Sequence, residues 1–372
     1  MKQILFVNLQ GNMAGAEQSL LLLIKYLHND YHCVVACPAF SSLSRQLDEM
    51  KIESLPLPKP SGRYSSRFLW LIYLITASLI LCKIVHKIKP ELLHANGFYP
   101  AIVSLFPVFL MRRKLIWHAR DLTRFQITSK ICSLFCQRVI AVSKTVKSLL
   151  IRHGIKPEII DIVYNGIEIE NLNDKGKAVA RFKKNNCPIR FANIGQFVPW
   201  KKQGLFLNAA SKLVARGVNA EFLLIGDDIF GRNSKYRSLL IHQVHNCHIA
   251  ERITLLGWQE NMQEVWPQID CLVHTASAEP FGRVIIEAMA HKIPIIAVGC
   301  CGPSEIIQNG KTGILVPVDD AEALSKAMLK IANDRKFAKE LTLAGSERVI
   351  SYFQAERTVD CVREIYKHIF VA

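Results

Sequence analysis

The sequence predicts an α/β protein made of two doubly wound parallel sheets, one in each half of the chain. Three observations predict this. Short apolar runs of strand character alternate with longer helical runs along the whole length. The alternation breaks once, in a polar and charged stretch over 165–186, and then starts again. At 372 residues the chain is long enough for two domains, each with its own core.

In the first half, 4–7, 33–36, 92–94, 114–118 and 138–142 read as strands. Helices are expected between them at 19–28, 43–50, 68–87, 101–111 and 144–153. In the second half the strands are expected at 190–194, 221–225, 253–255, 271–274, 293–297 and 313–316. The helices there are expected at 204–216, 235–247, 262–268, 282–291, 304–308 and 321–333. A last helical stretch at 354–369 is expected to pack back on the first domain. The boundaries are therefore placed at 1–170, 171–352 and 353–372. Sheets of this kind bind ligands at the carboxyl ends of their strands, and a cleft between two such domains is the expected site.

Composition narrows the partners. Half the residues are hydrophobic and the formal net charge is +16. The excess is uneven: residues 1–170 hold 21 Lys and Arg against 11 Asp and Glu. A basic surface of this kind suits an anionic lipid or an anionic substrate. Nucleic acid is not an expected partner, because no binding module and no interleaving of aromatic with basic residues is seen. The opening MKQILFVN reads as a buried first strand, too short and without the cleavage site for a signal peptide. The 11 Cys show no CxxC pairs and no zinc spacing, which points to reduced thiols.

One run bears on lipid. Residues 68–85 carry a single charge, Lys83, and are flanked by Arg63 and Arg67 on one side and His86, Lys87 and Lys89 on the other. A second apolar run, 98–111, ends in Arg112-Arg113-Lys114. A buried helix, a helix in the membrane interface and a membrane span all fit this length. The strand that follows at 92–94 belongs to the same sheet as those before it, which favours the buried or interfacial readings. Apolar groups beside a basic cluster favour contact with the surface of an anionic membrane.

The stretch EPFGRVIIE, from Glu279 to Glu287, carries the most chemistry. A strand, a loop holding Glu279 and a helix starting near Gly282 aim backbone N–H groups and a positive helix end at one point. Glu287, about a turn and a half into that helix, can reach the hydroxyls of a ribose. The loop after the first strand of the second half, GQFVPWKKQG, sets Gly195, Gln196, Lys201 and Lys202 at another strand end, where lysine suits phosphate. His118 is placed at the end of the fourth strand of the first half, next to Arg120 and Asp121. The first loop, GNMAGAE, holds Gly15 and Glu17. Its spacing is not GxGxxG, so it is no dinucleotide fingerprint.

The order of these motifs resembles the retaining GT-B glycosyltransferases of family 4, over nearly the whole chain. The carriers are Ala14-Gly15-Ala16-Glu17, the His118 region, Ala141-Val142-Ser143, Tyr164-Asn165-Gly166, Gly195 to Lys201, Glu279 to Glu287 and Gly302-Pro303-Ser304-Glu305. The resemblance implies two Rossmann-like domains facing across a cleft. It implies transfer of a sugar from a nucleoside-diphosphate sugar, UDP- or GDP-linked, to a glycan or lipid-linked acceptor of lipopolysaccharide, capsule or exopolysaccharide type, at the cytoplasmic face of a membrane.

The roles it implies are specific. Lys201 neutralises the diphosphate, together with Gly195, Gln196 and Lys202. Glu279 meets the sugar hydroxyls, His118 lies beside the transferred sugar, and Glu287 holds the ribose. The N–H groups of Phe281, Gly282 and Arg283 lie near sugar and phosphate. Gly15, Glu17 and Arg120 fall on the acceptor side. Where many members carry Arg after the glycine this chain has Gln196, and Lys202 or Arg283 would have to compensate. No Asp-x-Asp occurs, so neither a metal nor another cofactor is implied. A sugar-nucleotide epimerase of the same fold and a non-catalytic subunit of a glycan-assembly complex remain as alternatives.

Overall fold

A computed structural model describes residues 1–60, 67–169 and 187–371. Arg63 and residues 170–186 of the expected linker 165–186 lie outside the described residues. The chain divides into two compact units, Met1–Ile167 with Ala355–Ala372, and Glu168–Gln354.

The first unit holds seven strands: β1 (Gln3–Val7), β2 (His32–Pro38), β3 (Glu53–Leu57), β4 (Leu92–Asn96), β5 (Lys114–Ala119), β6 (Arg138–Ala141) and β7 (Ile160–Ile162). They pair in the order β3-β2-β1-β4-β5-β6-β7. Every pairing is parallel. Helices cover both faces, so the central strands β1 and β4 are buried and read as apolar runs without alternation. The second unit repeats the plan with β8 (Ile189–Ile194), β9 (Ala220–Ile225), β10 (Ile253–Gly257), β11 (Cys271–His274), β12 (Ile295–Val298) and β13 (Ile314–Val316), ordered β10-β9-β8-β11-β12-β13. In each sheet the winding reverses beside its first strand. The loops after β1 and β4 part company there, as do those after β8 and β11. Such a switch point opens a crevice at the carboxyl ends of the strands.

Two strands were not expected, β3 and β7, and both are edges. β3 contains Pro56, which cannot donate to a ladder on both sides and so suits an edge. β7 is 3 residues long. The described helices of the first unit are α1 (Gly15–Leu27), α2 (Ser42–Glu49), α3 (Arg67–Ile88), α4 (Phe98–Met111), α5 (Gln126–Ser133) and α6 (Lys144–Arg152). The second unit has α7 (Gln203–Ala215), α8 (Ser234–Asn246), α9 (Arg283–Ala290), α10 (Cys301–Ile306), α11 (Ala321–Asn333) and α12 (Arg335–Tyr352). The last, α13 (Ala355–Val371), belongs to the first unit.

Three expectations about helices are corrected. The stretch 262–268 is two short 3-10 turns, the second opened by Pro267. α5 and α12 were missed. α12 buries Ala338, Leu341, Thr342, Gly345, Ser346 and Val349 at helical spacing. Several of those residues are small or polar, so the spacing leaves little hydrophobic contrast to read.

Of the two readings favoured for α3, buried or interfacial, a fully buried helix does not fit. One stripe, Tyr73, Ala77, Leu81 and Val85, is buried, as the i, i+4 spacing of a single helix face allows. Phe68, Leu71, Ile75 and Leu79 are 51–69% exposed. On neighbouring helices Phe106, Phe109 and Leu110 of α4 and Ile127 and Ile131 of α5 are exposed as well. α3 is long and apolar enough to cross a membrane.

Candidate active site

The second unit gathers most of the expected residues at its switch point. β8 ends at Ile194 and the chain turns at Gly195, whose N–H donates to Ile225 O at 2.9 Å. The loop then closes into a 3-10 turn, Pro199–Lys201, started by its proline. Across the crevice β11 ends at His274 and runs into the loop that holds Glu279. Polar side chains tie the two loops together. Asn193 Nδ2 donates to Thr275 Oγ1 at 3.0 Å, and Thr275 Oγ1 donates to Lys201 O at 2.8 Å. Ser277 N donates to Trp200 O at 2.9 Å.

This framework brings Lys201 Nζ onto Glu279 Oε2, with side chains only 15% and 11% exposed. His274 Nε2 reaches the same carboxylate oxygen at 3.2 Å. Burial alone would raise the Glu279 carboxyl. The Lys201 cation, and after it the His274 contact, outweigh burial and hold it at about 2. Burial lowers His274, so a neutral imidazole donates from Nε2. The site is thus a largely buried ion pair at a strand end.

Beside it α9 begins. Gly282 takes φ of +103° at the helix start, a conformation costly for any side chain, and frees the first N–H groups of α9. Gly302 makes the close approach possible: a Cβ there would lie 2.3 Å from Phe281 O. One turn into the helix, Glu287 Oε1 accepts from Arg283 Nε at 2.6 Å.

The two cations considered as substitutes at Gln196 are engaged elsewhere. Lys202 Nζ lies 3.1 Å from Asp319, and Arg283 is paired with Glu287. The backbone O of Gln196 accepts from Gln203 at 2.8 Å. The Phe281 ring is buried and packs edge-on against Phe353 at 5.9 Å.

The first unit brings a polar network to its own switch point. His118 is the last but one residue of β5 and is 2% exposed. Arg120 Nε donates to Asn96 Oδ1, and its NH1 donates to Asn165 Oδ1 at 2.9 Å. Asn96 Nδ2 donates to Asn8 Oδ1 at 2.8 Å, and Asn8 Nδ2 donates to Glu17 Oε1 at 3.4 Å. Burial raises the Glu17 carboxyl to about 7. Glu17 and Arg120, expected on the acceptor side, are therefore buried and engaged within the protein. Gly15, at the first position of α1, is exposed.

Sequence reasoning missed Asn8, His94, Asn96, Asn193, His274 and Tyr366. Asn8, Asn96, Asn193 and His274 stand at or near strand ends, and His94 sits in the middle of β4. A polar residue at such an end was the available signal, since a parallel strand buried on both faces gives it no solvent.

Comparison with known proteins agrees with this picture. Residues 13–171 match the family described as Glycosyltransferase Family 4, and residues 174–348 match the family described as Glycosyl transferases group 1. An N-acetyl-alpha-D-glucosaminyl L-malate synthase of Bacillus anthracis is 30% identical over 47% of this chain, and the match spans 44% of that protein's length. A UDP-Gal:alpha-D-GlcNAc-diphosphoundecaprenol alpha-1,3-galactosyltransferase of Escherichia coli is 20% identical over 98% of this chain and 96% of its own. The crystal structure of Anabaena HepE in complex with UDP and glucose superposes with a TM-score of 0.86 at 22% identity, covering 99% of this chain and 100% of that one.

Proposed function

We propose that this chain, which belongs to the glycosyltransferases of family 4, moves a hexosyl unit from a nucleoside-diphosphate sugar to a lipid-linked glycan precursor with retention of configuration. The observation that carries this is the Lys201–Glu279 pair, buried where the β8 and β11 loops meet beside the start of α9. A leaving diphosphate develops negative charge, and a fixed cation with free backbone N–H groups stabilises it without reorganisation. When the donor arrives, Lys201 turns to the diphosphate and Glu279 accepts from sugar hydroxyls. Glu287 accepts from the ribose. His118 lies beside the transferred sugar in this reading. The acceptor hydroxyl attacks on the face the diphosphate leaves, and a phosphate oxygen takes the proton, so no protein nucleophile is needed. Lys201 and the α9 N–H groups supply the positive charge in this reading, with no metal.

UDP is the proposed nucleotide. The Escherichia coli relative is named for a UDP-galactose donor, and HepE was solved with UDP. A ligand that binds only the folded state raises its melting temperature. Melting curves with UDP, GDP, ADP and their sugar conjugates are expected to shift upward with the UDP set. No shift with any of them overturns the proposal.

The lipid-linked acceptor finds support in the diphosphoundecaprenol named in the Escherichia coli relative. It is supported too by the exposed apolar residues of α3, α4 and α5, and by the exposed cations Arg112, Arg124 and Lys130, which are neighbours in sequence of those on α4 and α5. Burial of such side chains combined with attraction to anionic headgroups gives peripheral attachment. We infer attachment at the cytoplasmic face of a membrane. The protein is expected to float with vesicles containing phosphatidylglycerol, and less with neutral ones. Replacing Phe68, Leu71 and Ile75 by Ser is expected to abolish flotation while the melting temperature holds. Equal recovery with both vesicle types, or no loss in the triple variant, counts against it.

A further inference from the structure

Behind His118 lies a row of buried side chains that the proposed reaction does not use. The hydroxyl of Tyr366, on α13, lies 2.6 Å from His94 Nδ1. His94 Nε2 in turn lies 3.0 Å from His118 Nδ1. Arg120 ends the row, with its NH2 group 3.4 Å from the same His118 Nδ1. Arginine has only N–H groups to offer and keeps its charge, so it donates. The nitrogen it faces must carry a lone pair. His94 Nε2 must then hold the proton of the 3.0 Å bond, and His94 Nδ1 must accept from the Tyr366 hydroxyl.

The Arg120 cation at one end and the Tyr366–His94 pair at the other thus set the direction of the protons in the row together. Burial first, and Arg120 after it, push His94 down to about 3 and His118 well below its usual range, so both rings are neutral. Burial pushes Tyr366 up, and it keeps its proton. A neutral imidazole has one N–H. For His118 that proton sits on Nε2, which has no hydrogen-bond partner among the described residues. His118 also lines a small cavity with Ser19, Asn165, Gly166 and Thr358.

We propose that Tyr366 and His94 are positioning residues that hold His118 as its Nε2–H tautomer, so that it gives a hydrogen bond to an oxygen of the transferred sugar. The sugar contact rests on the functional reading above; the tautomer does not. The consequence is specific: His118 is a donor and not a general base, because its buried Nε2 already carries a proton. This fits a reaction in which phosphate, not protein, takes the acceptor's proton.

Imidazole nitrogen NMR of the full chain at neutral pH tests the row directly. The expected spectrum shows His118 protonated on Nε2 and bare on Nδ1. In Tyr366→Phe the His94 signals are expected to move towards the other tautomer, and those of His118 to follow. kcat is expected to fall about tenfold, the loss of one well-placed hydrogen bond, with KM for the donor nearly unchanged. His94→Gln keeps an N–H near the old Nε2 and is expected to retain more activity than His94→Leu. It also reads the row if Tyr366→Phe does not fold. A proton on His118 Nδ1, or His118 signals unmoved in folded Tyr366→Phe and His94→Leu, overturns the proposal. A wild-type protein that transfers nothing would refute the functional reading alone, because the spectrum decides the tautomer without turnover.

Discussion

Lys201→Met is expected to cost both stability and donor binding, and the two losses separate in a double variant. In the native protein the buried Glu279 carboxylate has Lys201 and His274 as partners. Removing the cation leaves a buried charge half-compensated, a change that costs about 3–5 kcal/mol in comparable sites. The sign with pH follows from the position of the carboxyl. Glu279 is held at about 2 against an ordinary 4.5, so its contribution is complete above 4.5 and is lost as pH falls towards 2. Without Lys201, burial dominates and raises the carboxyl, and the variant then loses stability as pH rises. The gap in melting temperature between wild type and Lys201→Met is therefore expected to be wide at neutral pH and to close near about pH 3. A gap independent of pH would mean that the ion pair does not stabilise the fold. Adding Glu279→Gln to Lys201→Met removes the stranded charge and is expected to restore most of the stability. Affinity for the nucleotide sugar stays low in both variants, by on the order of 100-fold, because the cation for the diphosphate is missing. Wild-type affinity in the refolded double variant would remove both residues from the donor site.

Glu287→Ala is expected to do the opposite: leave the fold alone and weaken the nucleotide. Its pair with Arg283 is an i, i+4 contact with side chains 24% and 18% exposed. Pairs of this kind contribute at most about 1 kcal/mol, so the melting temperature without ligand is expected to move little. Hydrogen bonds from ribose hydroxyls to a carboxylate contribute about 1.5–3 kcal/mol each. Calorimetric titration with UDP is therefore expected to show a loss on the order of 100-fold, with Glu287→Gln between the two. Unchanged UDP affinity would show that Glu287 does not hold the ribose, whatever the other residues do.

Some parts of this protein are legible from order and period alone. All six strands of the second sheet announce themselves as short apolar runs, because a parallel sheet covered on both faces needs such runs. The Gly282 and Glu287 positions follow from a strand, a loop and a helix start in that order. Lys201 is legible as a lysine at a strand end. Its partner is not: the contact with Glu279 joins residues 78 apart in sequence. The first sheet's edges β3 and β7 were missed for local reasons: Pro56 interrupts the apolar run of β3, and β7 is only 3 residues long.

Sequence alone was enough for the two-sheet α/β class, the strand-end loops, the family and the basic, apolar character of the first half. These depend on local period and on residue type, which survive without coordinates. Tertiary structure decided what long-range pairing controls. It placed Lys201 on Glu279, turned Lys202 to Asp319, and buried Glu17 and Arg120 in a network with Asn8, Asn96 and Asn165. It also decided that α3 buries one stripe and exposes the rest, since an evenly apolar helix has no sequence contrast to mark its inner face. The direction of the His118 proton is of the same kind. It is set by a tyrosine 248 residues along the chain and by an arginine two residues away, and only folding brings those groups within hydrogen-bond distance of one row.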